Sequence, residues 1–205
     1  MSFKFLVKVK IEKSEGWVLE RMKLYWCSSF GRLFHNNNNN DLIWRALNRA
    51  SIPSVKEPQG LARSDGKRPD GLTLIPWREG RSATWDVTVV DTVATSYVAA
   101  SATCAACAAE TAAQRKENKY TDIAQTYLFF YPIALETMGP INIAGQDFIS
   151  ELGHRISAIT DDPRETSYLY QRISMSVQRF NAICFANSFS HDCDHDDLAN
   201  RPRHT

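Results

Sequence analysis

The chain has 205 residues, of which 43% are hydrophobic and 23% are charged. This length suits one domain of ordinary size with short appendages, and the hydrophobic fraction allows a packed core, which excludes a wholly disordered chain. The formal net charge is +1, so the bulk charge does not indicate a nucleic-acid-binding protein. Five unevenly spread cysteines do not form the framework of a secreted disulfide-rich domain, and a reducing, intracellular compartment is expected.

The first 34 residues form a poorly defined N-terminal segment. Apolar residues alternate mostly with lysine over positions 3–11, which predicts a short strand. Because the lysines interrupt the apolar run, the segment predicts neither a signal peptide nor a membrane span. The uncharged stretch 93–109 consists mostly of Ala, Ser and Thr and is too weakly hydrophobic to cross a membrane.

Five consecutive asparagines occupy positions 36–40 and are typical of a low-complexity segment or a loop. Apolar residues at helical spacing follow over 41–50, which predicts a helix that ends before Pro53. An asparagine at the head of this helix would be a good N-cap, and Asp41 in the first turn would complement the helix dipole.

Strand and turn signals follow the first helix. A short strand is predicted at 54–57, a loop at 58–67, and strands at 71–75 and 83–90. The turn residues at 77–81 predict that the last two strands form a hairpin.

The second half of the chain is mainly helical. Residues 94–126 are rich in alanine and lack Gly and Pro, which predicts one long helix, broken at most once. A strand is predicted at 128–136 and amphipathic helices at 146–159 and 165–187, and residues 190–205 are expected to be a disordered tail. The predicted fold class is therefore α/β, with a small central mixed sheet flanked by helices.

Two carboxylates in the hairpin are the strongest chemical signal. Asp70 opens its first strand and Asp86 lies inside its second. If the strands are adjacent, the two side chains could face each other, and each would raise the pKa of the other unless a cation neutralises them. A hard divalent ion such as Mg²⁺ (or Mn²⁺) prefers oxygen ligands, and it can activate water for attack on a phosphodiester. Asp70 and Asp86 are thus candidate metal ligands.

The same residues carry a resemblance to a known superfamily. The motif Arg68-Pro-Asp-Gly71, followed on the next strand by Trp85-Asp-Val-Thr88, resembles the PD-(D/E)xK nuclease signature. The predicted order of helix, strand, hairpin, helix and strand also resembles the common core of these restriction-endonuclease-like enzymes. Many members carry a lysine where this chain has Thr88.

A wider resemblance covers residues 35–187, about three quarters of the chain. This region is similar to the C-terminal endonuclease region of non-LTR retrotransposon reverse transcriptase polyproteins. The segments that carry the resemblance are Asp41-Leu-Ile43, Val55-Lys-Glu-Pro58, Ser64-Asp-Gly-Lys-Arg-Pro-Asp-Gly71, Leu74-Ile-Pro-Trp77, Trp85-Asp-Val-Thr-Val-Val90, Lys119-Tyr120, Glu136 and Gln178-Arg-Phe-Asn181.

In those endonucleases the catalytic lysine has moved to the following helix, close to a tyrosine. Lys119-Tyr120 matches that pattern, and Lys116 lies one turn earlier on the same helix. The resemblance implies that 35–189 form a restriction-endonuclease-like domain that nicks DNA, in the nucleus if it is functional. It implies that Asp70 and Asp86 bind the metal and that Lys119 or Lys116 orients the attacking water or stabilises the phosphorane charge.

Several residues keep two interpretations. Four basic residues could contact DNA phosphates or simply solvate a loop: Lys67, Arg68, Arg78 and Arg81. Asp41 and Glu57 could add a further acid to the site or could be structural. Arg172 and Arg179 lie on one face of the last helix and could touch a DNA backbone or keep that face soluble.

The cysteines and histidines do not predict a zinc site. Cys104 and Cys107 have no second ligand pair at a convincing spacing, so two small buried helix residues are expected. His191, Cys193 and His195 fall in the predicted tail.

The rival function is a degenerate nuclease fold that acts only as a nucleic-acid-binding or structural remnant of a mobile element. The position of Lys119 or Lys116 distinguishes the active nuclease from this remnant. If neither lysine points at the acid pair, the site lacks its cation, because Thr88 occupies the usual lysine position. A third class, a DNA-binding module that uses the basic loop, predicts DNA affinity without metal.

Overall fold

A four-stranded mixed sheet forms the centre of the structure, a computed structural model that describes residues 29–63, 65–121 and 128–189. The strands lie in chain order, as β1 (Ser54–Lys56), β2 (Gly71–Thr73), β3 (Ser82–Val90) and β4 (Leu128–Glu136). The first three pair antiparallel, and β3 pairs with β4 in parallel along its whole length. The prediction of a small mixed α/β sheet with a β2–β3 hairpin is confirmed.

Five helices flank the sheet in the described part of the chain: α1 (Ser29–Arg49), α2 (Val98–Thr103), α3 (Cys107–Lys119), α4 (Ile143–Thr160) and α5 (Glu165–Phe189). A short 3₁₀ turn, Gln59–Leu61, lies in the loop between β1 and β2. None of the helices in the described ranges is long and apolar enough to cross a membrane. The predicted strand at 3–11 and the predicted tail at 190–205, with its histidines and cysteine, lie outside the described residues.

Alternation along the central strands divides the core into two layers. The side chains of Trp85, Val87 and Val89 pack with α1, α4 and α5 in the larger apolar cluster. On the opposite face, Val90 packs with the alanines of α3 in a smaller cluster. Since side chains alternate in a strand, Asp86 belongs to the α3 face.

The asparagine run is helical, so its prediction as a loop or helix cap is wrong. Asn36 Oδ1 accepts the Val89 N–H at 2.9 Å, and Asn40 Oδ1 accepts the indole N–H of Trp85 at 2.9 Å. Asn38 Nδ2 also donates to Ser176 Oγ at 2.6 Å. These tertiary hydrogen bonds offset the low helix propensity of asparagine.

The predicted break in the Ala-rich helix lies between α2 and α3, and residues 122–126 of that prediction lie outside the described residues. The two cysteines are not buried helix residues. The chain leaves the helical path at Cys104, Ala106 adopts a left-handed φ of 67°, and Cys104 forms a disulfide with Cys107. A new helix starts there because Glu136 Oε1 accepts the N–H groups of Ala108 and Ala109 at 2.9 and 3.1 Å. A buried carboxylate thus satisfies donors that the first turn of α3 leaves free.

Candidate functional site

Asp70 reaches β3 because β2 is short. The pairing of β2 with β3 ends at Gly71 and Trp85. Beyond this pair, the backbone N–H of Val87 donates to Asp70 Oδ2 at 2.7 Å. The backbone N–H of Asp70 also donates to the carbonyl of Trp85 at 2.9 Å. Gly71 permits this close approach, because a Cβ there would lie 2.0 Å from the ring of Trp85.

Asp86 lies on β3, on the face that α3 covers, and is only 3% exposed. Its Oδ1 accepts a hydrogen bond from Lys116 Nζ at 2.6 Å, and the lysine side chain is 25% exposed. Lys116 reaches it because four small alanines hold the preceding turns of α3 against the sheet. The structure therefore brings Asp70, Asp86 and Lys116 together.

The two carboxylates influence each other electrostatically. Burial and then the charge of Asp86 raise the pKa of Asp70 to about 7, although the Val87 N–H and Lys116 oppose the shift. A carboxyl with this pKa is about half protonated at neutral pH. The pair therefore carries more negative charge than Lys116 neutralises when both acids are ionised.

Lys119 and Tyr120 lie beside the acids but make different contacts. Lys119 Nζ donates to Tyr120 Oη at 2.7 Å, and the tyrosine hydroxyl donates to the carbonyl of Arg68 at 2.9 Å. Burial, and then the neighbouring Lys116, lower the pKa of Lys119. Burial and the charge of Asp86 raise the pKa of Tyr120, which keeps the phenol protonated. Tyr120 thus ties the loop before Asp70 to the end of α3.

The four predicted DNA contacts fall into two groups. Lys67 and Arg68 lie on the loop that leads into Asp70, near the acids. Lys67 Nζ lies 3.5 Å from Asp65, and Arg68 is hydrogen-bonded to Glu57 and to Gln59.

Arg78 and Arg81 lie at the opposite end of the hairpin, where they face each other across its turn. Arg81 stacks its guanidinium 3.7 Å from the ring centroid of Phe129 and also pairs with Glu79. Arg81 precedes Asp86 by five positions, so these two residues are about 17 Å apart along the strand direction.

The two remaining candidate acids occupy different places. Glu57 pairs with Arg68 and is close enough to contribute to the raised pKa of Asp70. Asp41 is not in a first turn, since α1 begins twelve residues earlier, at Ser29. It forms ion pairs with Lys56 and Arg45.

The donor set of Asp70 and Asp86 fits a magnesium ion. No group of three or more His, Cys, Asp or Glu side chains converges within the described ranges. Mg²⁺ is commonly held by one or two carboxylates, with water and substrate phosphate as the other ligands. Burial and then the neighbouring charge of Asp86 raise the pKa of Asp70, and a divalent cation held by both carboxylates would favour their ionised forms.

Some parts of this site gave little or no signal in the sequence. The Val87 N–H and the Arg68 carbonyl are backbone groups, so no residue type reveals them. The buried cap formed by Glu136 had a weak signal, a carboxylate at the end of the apolar run of β4. Arg115 and Tyr97, which contact each other next to Lys116, were also missed.

No protein-family model matches this sequence, and no curated protein sequence matches it either.

Proposed function

We propose that this domain is a divalent-metal-dependent DNA endonuclease of the restriction-enzyme-like type, derived from a non-LTR retrotransposon polyprotein. The observation that carries the proposal is the meeting of Asp70, Asp86 and Lys116, which lie just before β2, in the middle of β3 and near the end of α3. Two acids and a lysine in one partly buried cluster are suited to phosphodiester hydrolysis.

The order of elements supports the same reading. A helix, a strand, a hairpin, the two helices α2 and α3, and a parallel strand follow one another from α1 to β4. This order agrees with the resemblance to the PD-(D/E)xK core, in which the two acids lie on adjacent strands.

Each residue has a distinct role in the proposed reaction. Asp70 and Asp86 would hold Mg²⁺ or Mn²⁺, which would supply the charge that activates water and stabilises the phosphorane. Lys116 holds Asp86 in place, and its partly exposed ammonium can orient a water molecule or stabilise developing phosphate charge. Lys116 would thus supply the lysine that many members of the superfamily carry at the position of Thr88.

DNA is the proposed partner, with nuclear DNA as the target. Lys67 and Arg68 border the acids and suit contacts to the backbone phosphates around the cleaved bond. Arg78 and Arg81, at the far end of the hairpin, would extend the contact along the duplex. Lys119 is the last residue of α3 and would contribute a second cation at the site.

Plasmid nicking by purified protein in Mg²⁺ or Mn²⁺, with EDTA as the metal-free control, tests the proposal. Asp70→Asn and Asp86→Asn are expected to lower the nicking rate at least 100-fold, because each removes one candidate ligand. Asp65→Asn is the matched control, since it removes an exposed acid of the same loop, and it should retain near-normal activity.

The two lysines are compared in the same assay. Lys116→Ala is expected to reduce the rate about 100-fold, within the range for losing one stabilising group. Lys119→Ala should cost less than tenfold, since its ammonium contacts Tyr120 rather than an acid. Thermal unfolding of each variant separates loss of chemistry from loss of fold.

Absence of metal-dependent nicking by the folded wild-type protein, with DNA binding intact, would contradict the nuclease. That result would favour the rival, a degenerate nuclease fold that only binds nucleic acid.

A further inference from the structure

A cavity of about 390 Å³ opens beside Lys116, the lysine that pairs with Asp86. Its walls come from the end of β3, the segment that leads to α2, and one side of α3, and include Thr88, Ser96, Tyr97, Arg115 and Lys116. The volume falls within the roughly 300–1,000 Å³ of pockets that hold small organic ligands.

The cavity is joined to the candidate site through Lys116. This side chain lines the cavity and also donates to Asp86 Oδ1 at 2.6 Å. Thr88 lies on the same face of β3 as Asp86, about 7 Å further along the strand. A group bound in the cavity would therefore be a near neighbour of a phosphate bound at the acids.

The lining contains the groups that bind an unpaired base. Tyr97 is half-buried, and its hydroxyl accepts a hydrogen bond from Arg115 Nη1 at 2.6 Å. The guanidinium carbon of Arg115 lies 5.4 Å from the centroid of the same ring. Aromatic rings and arginine planes are the surfaces on which unstacked bases are held in proteins that bind single-stranded nucleic acid.

The walls also limit what can enter. Three chain segments border the cavity, so a base that remains stacked and paired in a double helix, with neighbours on both of its faces, cannot insert between them. A single base that has left the stack can do so, as in enzymes that extrude a nucleotide.

We infer that this cavity binds one unpaired nucleobase next to the scissile phosphate, so that DNA with an extrahelical base is the preferred substrate. This inference rests on the proposed nuclease function for the position of the phosphate. The binding of the base itself is measured without cleavage.

Two labelled duplexes that differ only in a single bulged 2-aminopurine provide the test. In EDTA, the wild-type protein is expected to bind the bulged duplex about tenfold more tightly than the fully paired one, as one stacked base allows. Stacking in the cavity should also quench the 2-aminopurine fluorescence. Tyr97→Ala should abolish both the preference and the quenching and leave the affinity for the paired duplex unchanged.

Three further variants control for structural effects. Tyr97→Phe keeps the ring and should keep the preference, whereas Ser96→Leu narrows the cavity from an exposed position and should reduce it. Tyr168→Ala removes a tyrosine of α5 that lines a different groove, and it should behave as the wild type. The assignment is overturned if both Tyr97→Ala and Ser96→Leu remain folded and keep the preference for the bulge.

Nicking of the same duplexes in Mg²⁺ distinguishes this inference from the proposed function. Equal affinity and equal cleavage of both duplexes would overturn the base-binding cavity and leave the nuclease intact. Base-selective binding without any nicking would contradict the nuclease and leave base binding in place.

Discussion

Asp70 is the residue whose ionisation depends most on the fold. Its carboxyl is held beside Asp86 by the Val87 N–H, and burial together with that neighbour raises its pKa to about 7 from an ordinary value of 3.8. Folded protein therefore binds this proton more tightly than unfolded protein does. The corresponding stability is fully present below about pH 4 and is lost as the pH rises through about 7.

Asp70→Asn should remove this pH dependence. An asparagine can accept the Val87 N–H through its oxygen without carrying charge, so in EDTA at pH 7.5 the variant is expected to be more stable than the wild type. The expected gain is on the order of 2 kcal/mol, and it should shrink towards pH 4.5. Urea denaturation at several pH values measures it.

Asp162→Asn is the matched control, because the stability contributed by Asp162 should change with pH in the opposite direction. Hydrogen bonds from Arg164 lower the pKa of this half-buried carboxyl, so the stability that it contributes is present above the ordinary pKa and is lost at low pH. If the free energies of unfolding of the wild type and Asp70→Asn change in parallel with pH, the prediction is wrong and Asp70 does not have a raised pKa.

At the scale of elements, asparagine side chains complete the edges of strands. Asn36 accepts the Val89 N–H of β3, beyond the residues of that strand that pair with β2. On the outer edge of β4, the buried Asn142 accepts the Ala134 N–H and donates to the Pro132 carbonyl. Each side chain amide supplies the donor or acceptor that a further strand would have supplied. In the same way, the Asp70 carboxylate accepts the Val87 N–H, which lies beyond the end of the β2–β3 pairing.

The asparagine run should therefore respond unevenly to alanine. Asn40→Ala leaves the buried indole N–H of Trp85 without its acceptor, and it is expected to cost about 1–3 kcal/mol of unfolding free energy. Asn37 is exposed on the same helix, so Asn37→Ala should be neutral or stabilising by up to about 0.7 kcal/mol. Chemical denaturation measures both changes.

Equal, small effects at the two positions would mean that the run is not an ordered part of α1. If only Asn40→Ala lowers the free energy of unfolding, a tertiary hydrogen bond, rather than helix propensity, keeps the run helical.

On the scale of the whole molecule, the acid cluster joins three separate parts of the chain. The residue before β2, the centre of β3 and the end of α3 meet there, and Tyr120 connects the preceding loop to the end of the same helix. A cation bound by Asp70 and Asp86 would bridge two of these parts in the folded state only. Its binding should therefore stabilise the whole domain.

Thermal unfolding should thus shift upward with Mg²⁺ at neutral pH. At ten times the dissociation constant, the stabilisation is expected to be about 1.4 kcal/mol. The shift should be lost in Asp70→Asn, retained in Asp65→Asn, and absent when NaCl of equal ionic strength replaces Mg²⁺. An equal shift in all three proteins would place the ion elsewhere.

Much of this fold follows from local patterns. Strands β3 and β4 and helices α4 and α5 were predicted because their apolar residues recur at the period of one regular structure, which burial on a single face requires. Asp86 could be selected for a related reason, since a carboxylate inside an otherwise apolar strand needs a partner, and Asp70 was selected because it opens the adjacent strand.

The remaining features depended on partners distant in the chain. The helical asparagine run bonds residues about 50 positions away, and the break before α3 is stabilised by a glutamate at the end of β4. Between Lys116 and Lys119, one turn apart, only the rotation of α3 against the sheet decides which ammonium reaches Asp86. Periodicity along the chain identifies the elements, whereas hydrogen bonds and ion pairs between elements select the residues that meet.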